Sequence, residues 1–184
     1  MNNGGHLILT CRTGQKDRNG QLHEALLQEP VYKLIGAKIE FNDQLPPGEK
    51  GEIVYAGKEY AWNNWGEVLL PDENTRVLAS YNDQFYKGKA AITTRSVGKG
   101  KVSYIGVNSM DRELEKDVLR ELYSAGERNL PDLPWYIFIE YRDGLYVAVN
   151  YSSEDYLLPE GDNHFILGGR NLMPGGVSVW KSKR

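Results

Sequence analysis

The sequence predicts an α/β domain followed by a small antiparallel all-β domain, and three observations carry that expectation. Up to about residue 126, short apolar strand-like runs alternate with helical stretches and with polar segments punctuated by Gly, Pro and Asn. The next stretch, "ERNLPDLP", has two prolines and no periodicity, the character of a linker. Beyond it, short strand-like runs are separated by turn signals with no helical period. The expected division is therefore an α/β domain over 1–126, a linker over 127–134 and a β domain over 135–184.

In chain order, "HLILT" (His6 to Thr10) is apolar without clean alternation, as in a strand covered on both faces. It feeds a long polar turn that contains Cys11, and the whole opening stretch reads as the middle of a domain whose first part is missing. Helical material is expected at Gln21 to Gln28. Strands follow at Ile53 to Ala56, Val77 to Tyr81, Ala90 to Thr94 and Val102 to Val107, and a hairpin is expected from Ile53 to Trp65. The clearest helix is "DRELEKDVLRELYSAG", where Leu114, Val118, Leu119 and Leu122 form one apolar stripe and Gly126 supplies a left-handed stop. In the tail, two strands meet at Asp143-Gly144, a pair suited to a tight hairpin turn, and "HFILGG" and "VSVWKS" complete a module of about four strands.

Composition excludes several classes of function. The chain has 184 residues, 40% hydrophobic and 26% charged, enough to bury roughly 70% of its unfolded surface. Its net charge of -3, with basic residues scattered among acidic ones, gives no stripe for tracking phosphates, so nucleic acid is not an expected partner. Apolar runs such as "LIL" and "YIFI" are too short to span a bilayer, and "MNNGGH" lacks the features of a signal peptide, which leads to the expectation of a cytoplasmic chain with no membrane partner. His6, Cys11, His23 and His164 show no metal-ligand spacing, and neither a metal nor a cofactor is expected.

Candidate chemistry begins with Cys11, because a strand leading into a tight turn is where several hydrolases and amidotransferases mount a nucleophile. Such an elbow needs small flanking residues and a helix directly after it; Arg12 and the polar "TGQKDRNG" supply neither, so a partly buried structural thiol is the expectation. "SVGKGKVSYIG" lacks the spacing of a phosphate loop, and Gly98 with Gly100 fits a hairpin turn instead. Carboxylates are abundant, among them Glu59, Glu67, Asp72, Glu73, Glu140, Asp143, Glu154 and Asp155, and most are expected to be solvated. Trp62 and Trp65 in "EYAWNNWGE", with Tyr60, could stack on sugar rings, although alternate aromatics in a hairpin more often pack inward.

"NGGHLILTCRTGQKD", "LIGAKIEF" and "WGEVLLPDENTRVLASYNDQFYKGKAAITTRSVGKGKVSYIGV" together resemble the middle domain of the family 42 glycoside hydrolases, the microbial β-galactosidases. Trp65, Glu67, Tyr81, Phe85, Gly88, Ala90, Gly98, Gly100, Tyr104 and Gly106 fall in register. "LYVAVNYS" and "NLMPGGVSVW" are similar to the family's carboxyl-terminal β domain. The resemblance implies a class I glutamine amidotransferase-like, flavodoxin-like fold for the first domain, here N-terminally truncated, without that class's nucleophile and used for trimerisation. It also implies that both catalytic glutamates reside on a (β/α)8 barrel, whose motifs this sequence does not contain. No catalytic residue is assigned. The expected role is a non-catalytic oligomerisation and accessory portion of a β-galactosidase-related protein, self-associating as a dimer or trimer and working with a catalytic barrel that a separate chain could supply. Two alternatives stand beside it: a galactoside-binding module using Trp62 and Trp65, and an amidotransferase-like enzyme using Cys11.

Overall fold

The computed structural model describes residues 3–109, 111–124, 133–134, 136–161 and 163–182. The chain divides into two compact units, Met1–Arg128 and Asn129–Arg184. The linker expected at 127–134 and the helix stop at Gly126 lie almost wholly outside the described residues.

The first unit is built on a nine-stranded sheet. Its strands are β1 (His6–Thr10), β2 (Ala37–Asp43), β3 (Gly51–Tyr55), β4 (Lys58–Trp62), β5 (Trp65–Pro71), β6 (Arg76–Tyr81), β7 (Ala90–Val97), β8 (Gly100–Ile105) and β9 (Val107–Asn108); helices α1 (Glu29–Ile35) and α2 (Glu113–Ser124) accompany them. The main path runs β1-β8-β7-β6-β3-β4, and β5 branches from β7 to carry β2 and β9. Only β1 with β8 is parallel among the described pairings; the rest are antiparallel.

Hairpins replace helical crossovers, and this overturns the α/β expectation and with it the amidotransferase-like, flavodoxin-like fold. The β3–β4 and β7–β8 pairs are each closed by two residues, with left-handed backbone at Ala56, Gly57 and Gly98. The stretch Gln21 to Gln28, expected as helix, forms turns: Lys16 bridges to Leu22, and Asp17 Oδ1 accepts the N–H groups of Asn19 and Gln21 at 2.8 and 2.9 Å. The helix starts only after that stretch, at Glu29, with Pro30 in its first turn and Gly36 at its left-handed C-cap. Gln21 to Gln28 contains good helix formers, but Leu22 and Leu26 stand exposed, so the segment lacks the buried stripe that would hold a helix.

Both faces of the sheet are nevertheless covered, as the "LIL" run implied. Leu7 and Leu9 pack with α1 residues and with Val102 and Tyr104, while Ile8 packs into the cluster that contains Leu114, Val118 and Leu122 of α2. The α2 stripe is therefore core. An aromatic group fills the centre of the same face: Trp62 and Tyr81 meet edge to face at 5.6 Å, and Tyr81 and Tyr86 at 4.9 Å. Gly66 permits this approach, since a Cβ there would lie 2.8 Å from the Tyr81 hydroxyl and 2.9 Å from the Trp62 ring.

The second unit has a four-stranded antiparallel sheet, in the order β10-β11-β15-β13. It is formed by β10 (Ile137–Arg142), β11 (Leu145–Asn150), β13 (Asn163–Leu167) and β15 (Val177–Ser182), with a small second pair from β12 (Tyr156–Leu157) and β14 (Asn171–Leu172). Asp143 and Gly144 both take positive φ, as the expected tight turn requires. Ala148, Leu158, Leu172 and Trp180 form the core, with Tyr146 stacked on Trp180 at 5.4 Å.

Two substitutions of opposite sign test this packing by thermal denaturation. Ala56→Gly is expected to stabilise by about 0.5–1 kcal/mol, because Ala56 sits at φ 49 where a side chain is strained. Gly66→Ala is expected to cost about 1–3 kcal/mol by forcing Trp62 and Tyr81 apart. A melting temperature that falls for Ala56→Gly, or holds for Gly66→Ala, would contradict the described geometry.

Candidate functional site at the Glu67 centre and the β1 edge

Glu67 lies in β5 between Gly66 and Val68, and its side chain is 0% exposed. Its carboxylate is met by three donors. The Arg12 backbone N–H reaches Oε1 at 2.8 Å, the Trp65 indole N–H reaches the same oxygen at 3.1 Å, and the Tyr104 hydroxyl reaches Oε2 at 2.7 Å. The Tyr81 hydroxyl donates to the Glu67 carbonyl at 3.1 Å, and the Glu67 N–H donates to Gly106 O at 2.7 Å. Arg12 reaches this point by adopting φ 67, and its guanidinium lies 5.1 Å from the centre of the Trp65 ring. Burial raises the Glu67 carboxyl pKa above its usual value, against the lowering pull of its donors. The sequence placed Glu67 among carboxylates that are mostly solvated; the structure makes it an exception. The missed signal was its position within "WGEVLL", between a half-buried Trp65 and fully buried Val68 and Leu69.

Cys11 borders this centre without the properties of a nucleophile. Its backbone N–H continues the β1 ladder to Ile105 O at 2.7 Å, and the side chain is partly buried. Burial, and then the negative charge of Glu67, push the thiol up to about 12. A catalytic cysteine needs the opposite shift, so the stand-alone amidotransferase alternative is not supported.

The aromatic trio proposed for sugar stacking is divided. Trp62 is fully buried, and Tyr60 is buried with its hydroxyl donating to Asp117 Oδ2 of α2 at 2.6 Å. Neither offers an open ring face. Trp65 is half-buried, with Arg12 against its ring. The hairpin is packed against α2 by a second contact as well, from the Tyr55 hydroxyl to Glu121.

The β1 strand is the more open element. It occupies the end of the main strand path, with β8 as its neighbour among the described residues. Lys101 N–H donates to Gly5 O, and Cys11 N–H to Ile105 O, so the odd-numbered residues bond to β8 and the even-numbered ones point their backbone groups outward. Thr10 O is taken by the Thr13 N–H and hydroxyl, which leaves His6 and Ile8 as the unpaired steps of the edge among the described residues.

Among the described residues, no group of acidic, His and Cys side chains could hold a metal, and no helix is long and apolar enough to cross a membrane.

Comparison with known proteins agrees with this architecture. The profile of the β-galactosidase trimerisation domain matches residues 1–130. The β-galactosidase BgaH of Haloferax lucentense is 30% identical over 169 residues, covering 91% of this chain and 25% of the relative. BgaA of Clostridium cellulovorans is 32% identical over 168 residues, covering 86% and 24%. The solved β-galactosidase of Halorubrum lacusprofundi superposes with a TM-score of 0.80 at 28% identity, over 100% of this chain and 28% of that one. The chain thus spans about a quarter of the length of these relatives.

Glu67 and Cys11 generate two tests. Glu67→Gln is expected to lower stability by about 1–3 kcal/mol at pH 5, since an amide offers one acceptor where three donors converge. The carboxyl's folded-state pKa is raised, so its contribution is fullest below the free value of 4.5 and declines as pH rises through the folded pKa. The variant should show a flatter profile of unfolding free energy against pH, and a steeper one would refute the assignment. Cys11 should react with a disulfide reagent at pH 7 at least about 100-fold more slowly in the native chain than in guanidinium; rapid native labelling would restore a nucleophilic role.

The match over residues 1–130, together with the relatives at 30% identity and above, establishes that the chain belongs to the β-galactosidase trimerisation domain family of the family 42 glycoside hydrolases.

Proposed function

We propose that this chain acts as the non-catalytic, self-associating portion of a β-galactosidase-related protein of carbohydrate metabolism. The trimerisation-domain match over 1–130 is the observation that carries the proposal. The first unit would make the subunit contacts, and hydrolysis of a β-galactoside would belong to a barrel, on the same polypeptide or a partner. The domain division at 1–126, 127–134 and 135–184 is proposed with it.

Within the first unit, β1 is the favoured contact over α2. The α2 helix already commits Leu114, Val118 and Leu122 to the core and tethers Asp117 and Glu121 to tyrosines of the β3–β4 hairpin. Among the described residues, the β1 edge retains unpaired backbone groups at His6 and Ile8, beside the half-buried Leu7 and Leu9. A second copy that supplies donors and acceptors to this edge satisfies them, which gives dimers by symmetric pairing and higher assemblies by cyclic contacts.

Sedimentation at tens of micromolar is expected to show a dimer or trimer that dissociates on dilution. Hydrogen exchange at the outward Ile8 amide should slow in the assembled form and become fast in the dilute form. A monomer at all these concentrations, with Ile8 exchanging freely, would overturn self-association through this edge.

A further inference from the structure

We infer that the α2-facing side of the sheet, at the open end of β7, β8 and β1, binds a small tetrahedral oxyanion such as a phosphate group. This inference goes beyond self-association and does not rest on it.

Strand register creates the site. Arg76, Thr94, Ser103 and Ile8 pair in succession across β6, β7, β8 and β1, and directly paired residues share a face. Ser96, Lys101 and His6 form the neighbouring row by the same pairing. Because Ile8 packs into the α2 cluster, this is the α2-facing side. There His6, Arg76, Thr94, Ser96 and Lys101 border a cavity of about 340 Å³, with Glu121 and Leu122 of α2 at its margin.

Charge selects an anion. Neither Arg76 nor Lys101 has an ion-pair partner among the described residues, whereas the third cation at the cavity, Arg95, is committed to Asp72 at 3.1 Å. Glu121 is the only carboxylate among the lining residues, and the Tyr55 hydroxyl already holds it. Two free cations beside the Ser96 hydroxyl suit a dianion's charge and acceptor oxygens.

His6 couples this site to pH through a hydroxyl relay. The Thr94 hydroxyl donates to Val102 O at 3.2 Å, and the Ser103 hydroxyl donates to Thr94 Oγ1 at 2.8 Å. Ser103 Oγ must then accept from His6 Nε2, 2.8 Å away. This relay assigns the neutral ring's proton to Nε2 and leaves Nδ1 to take up a second one. Burial, and then the charge of Lys101, lower the His6 pKa. A bound dianion opposes the Lys101 field and favours the imidazolium, so oxyanion affinity should rise as pH falls.

Inorganic sulfate is the first probe, because it stays a dianion while histidine titrates. The His6 ring resonances of the full 184-residue chain are followed by NMR from pH 5 to 8, in sodium sulfate and in sodium chloride of equal ionic strength. Sulfate is expected to raise the His6 midpoint by several tenths of a pH unit. Arg76→Ala combined with Lys101→Ala, with unchanged circular dichroism and melting, should weaken sulfate binding at least tenfold in calorimetry and remove the shift. His6→Gln should still bind at pH 8 but lose the tightening at pH 5.5. Inorganic phosphate and glycerol 3-phosphate, compared at pH 8, separate a free ion from a phosphomonoester as the preferred form. Equal His6 midpoints in both salts, or a double variant that responds like the parent, would overturn the inference.

Discussion

A carboxylate with no exposed surface has to be placed where donors already converge, and the first unit is organised around that requirement at Glu67. Arg12 comes from the turn after β1, Trp65 from the start of β5, Tyr104 from β8 and Tyr81 from β6. Three segments distant in sequence, together with Trp65 of the same strand, are thereby fixed against one residue. A shift of any one of them strands a buried donor or acceptor, a penalty of about 1–3 kcal/mol for each unsatisfied group and more for a charged one. The same centre explains the left-handed backbone at Arg12, which aims the N–H at Oε1 while the guanidinium covers Trp65. It also adds to the raised pKa of Cys11, whose thiol is pushed up first by burial and then by the negative charge of Glu67.

The residues that carried the family resemblance acquire a physical meaning here. Trp65, Glu67, Tyr81 and Tyr104 are members of one hydrogen-bonded group, and Gly106 lies beneath it, where an added Cβ would meet Ala91 O at 2.8 Å. Phe85, from the same register, plays a different part: it is 85% exposed and stacks on Phe41 at 5.5 Å. In the second unit, the Asn and small polar residue of "LYVAVNYS" form a comparable device. Buried Asn150 donates to Glu154 O and Leu172 O and accepts from the Ser152 N–H and hydroxyl, which ties the end of β11 to the β12–β14 pair.

Local patterns were legible in the sequence and long-range ones were not. The α2 stripe, the Asp143-Gly144 turn, the Gly98 hairpin and the covered β1 strand each follow from a few neighbouring residues. The fold class did not follow, because alternating apolar and polar segments look alike whether the return is a crossover helix or a hairpin. The stretch Gln21 to Gln28 decided that question wrongly: its residues favour helix, but the Asp17 turn and the bridge from Lys16 to Leu22 hold it in another form. Glu67 was equally hidden, since a buried carboxylate differs from a solvated one by partners 37 and 55 residues away, Tyr104 and Arg12.

The two ends of β1 show how one strand can serve two demands. Its odd residues give their backbone groups to β8 and turn Leu7 and Leu9 toward α1; its even residues turn His6 and Ile8 to the α2 side and leave their backbone groups at the sheet edge. The period of two thus separates edge from face at the same residues, so a neighbouring copy added at the edge extends the sheet without displacing the His6 side chain from its relay to Ser103. Strand pairing acts in the plane of the sheet and side chains act across it. The self-association proposed at β1 and the anion binding proposed above it therefore use different groups of the same residues, the backbone in one case and the side chain in the other.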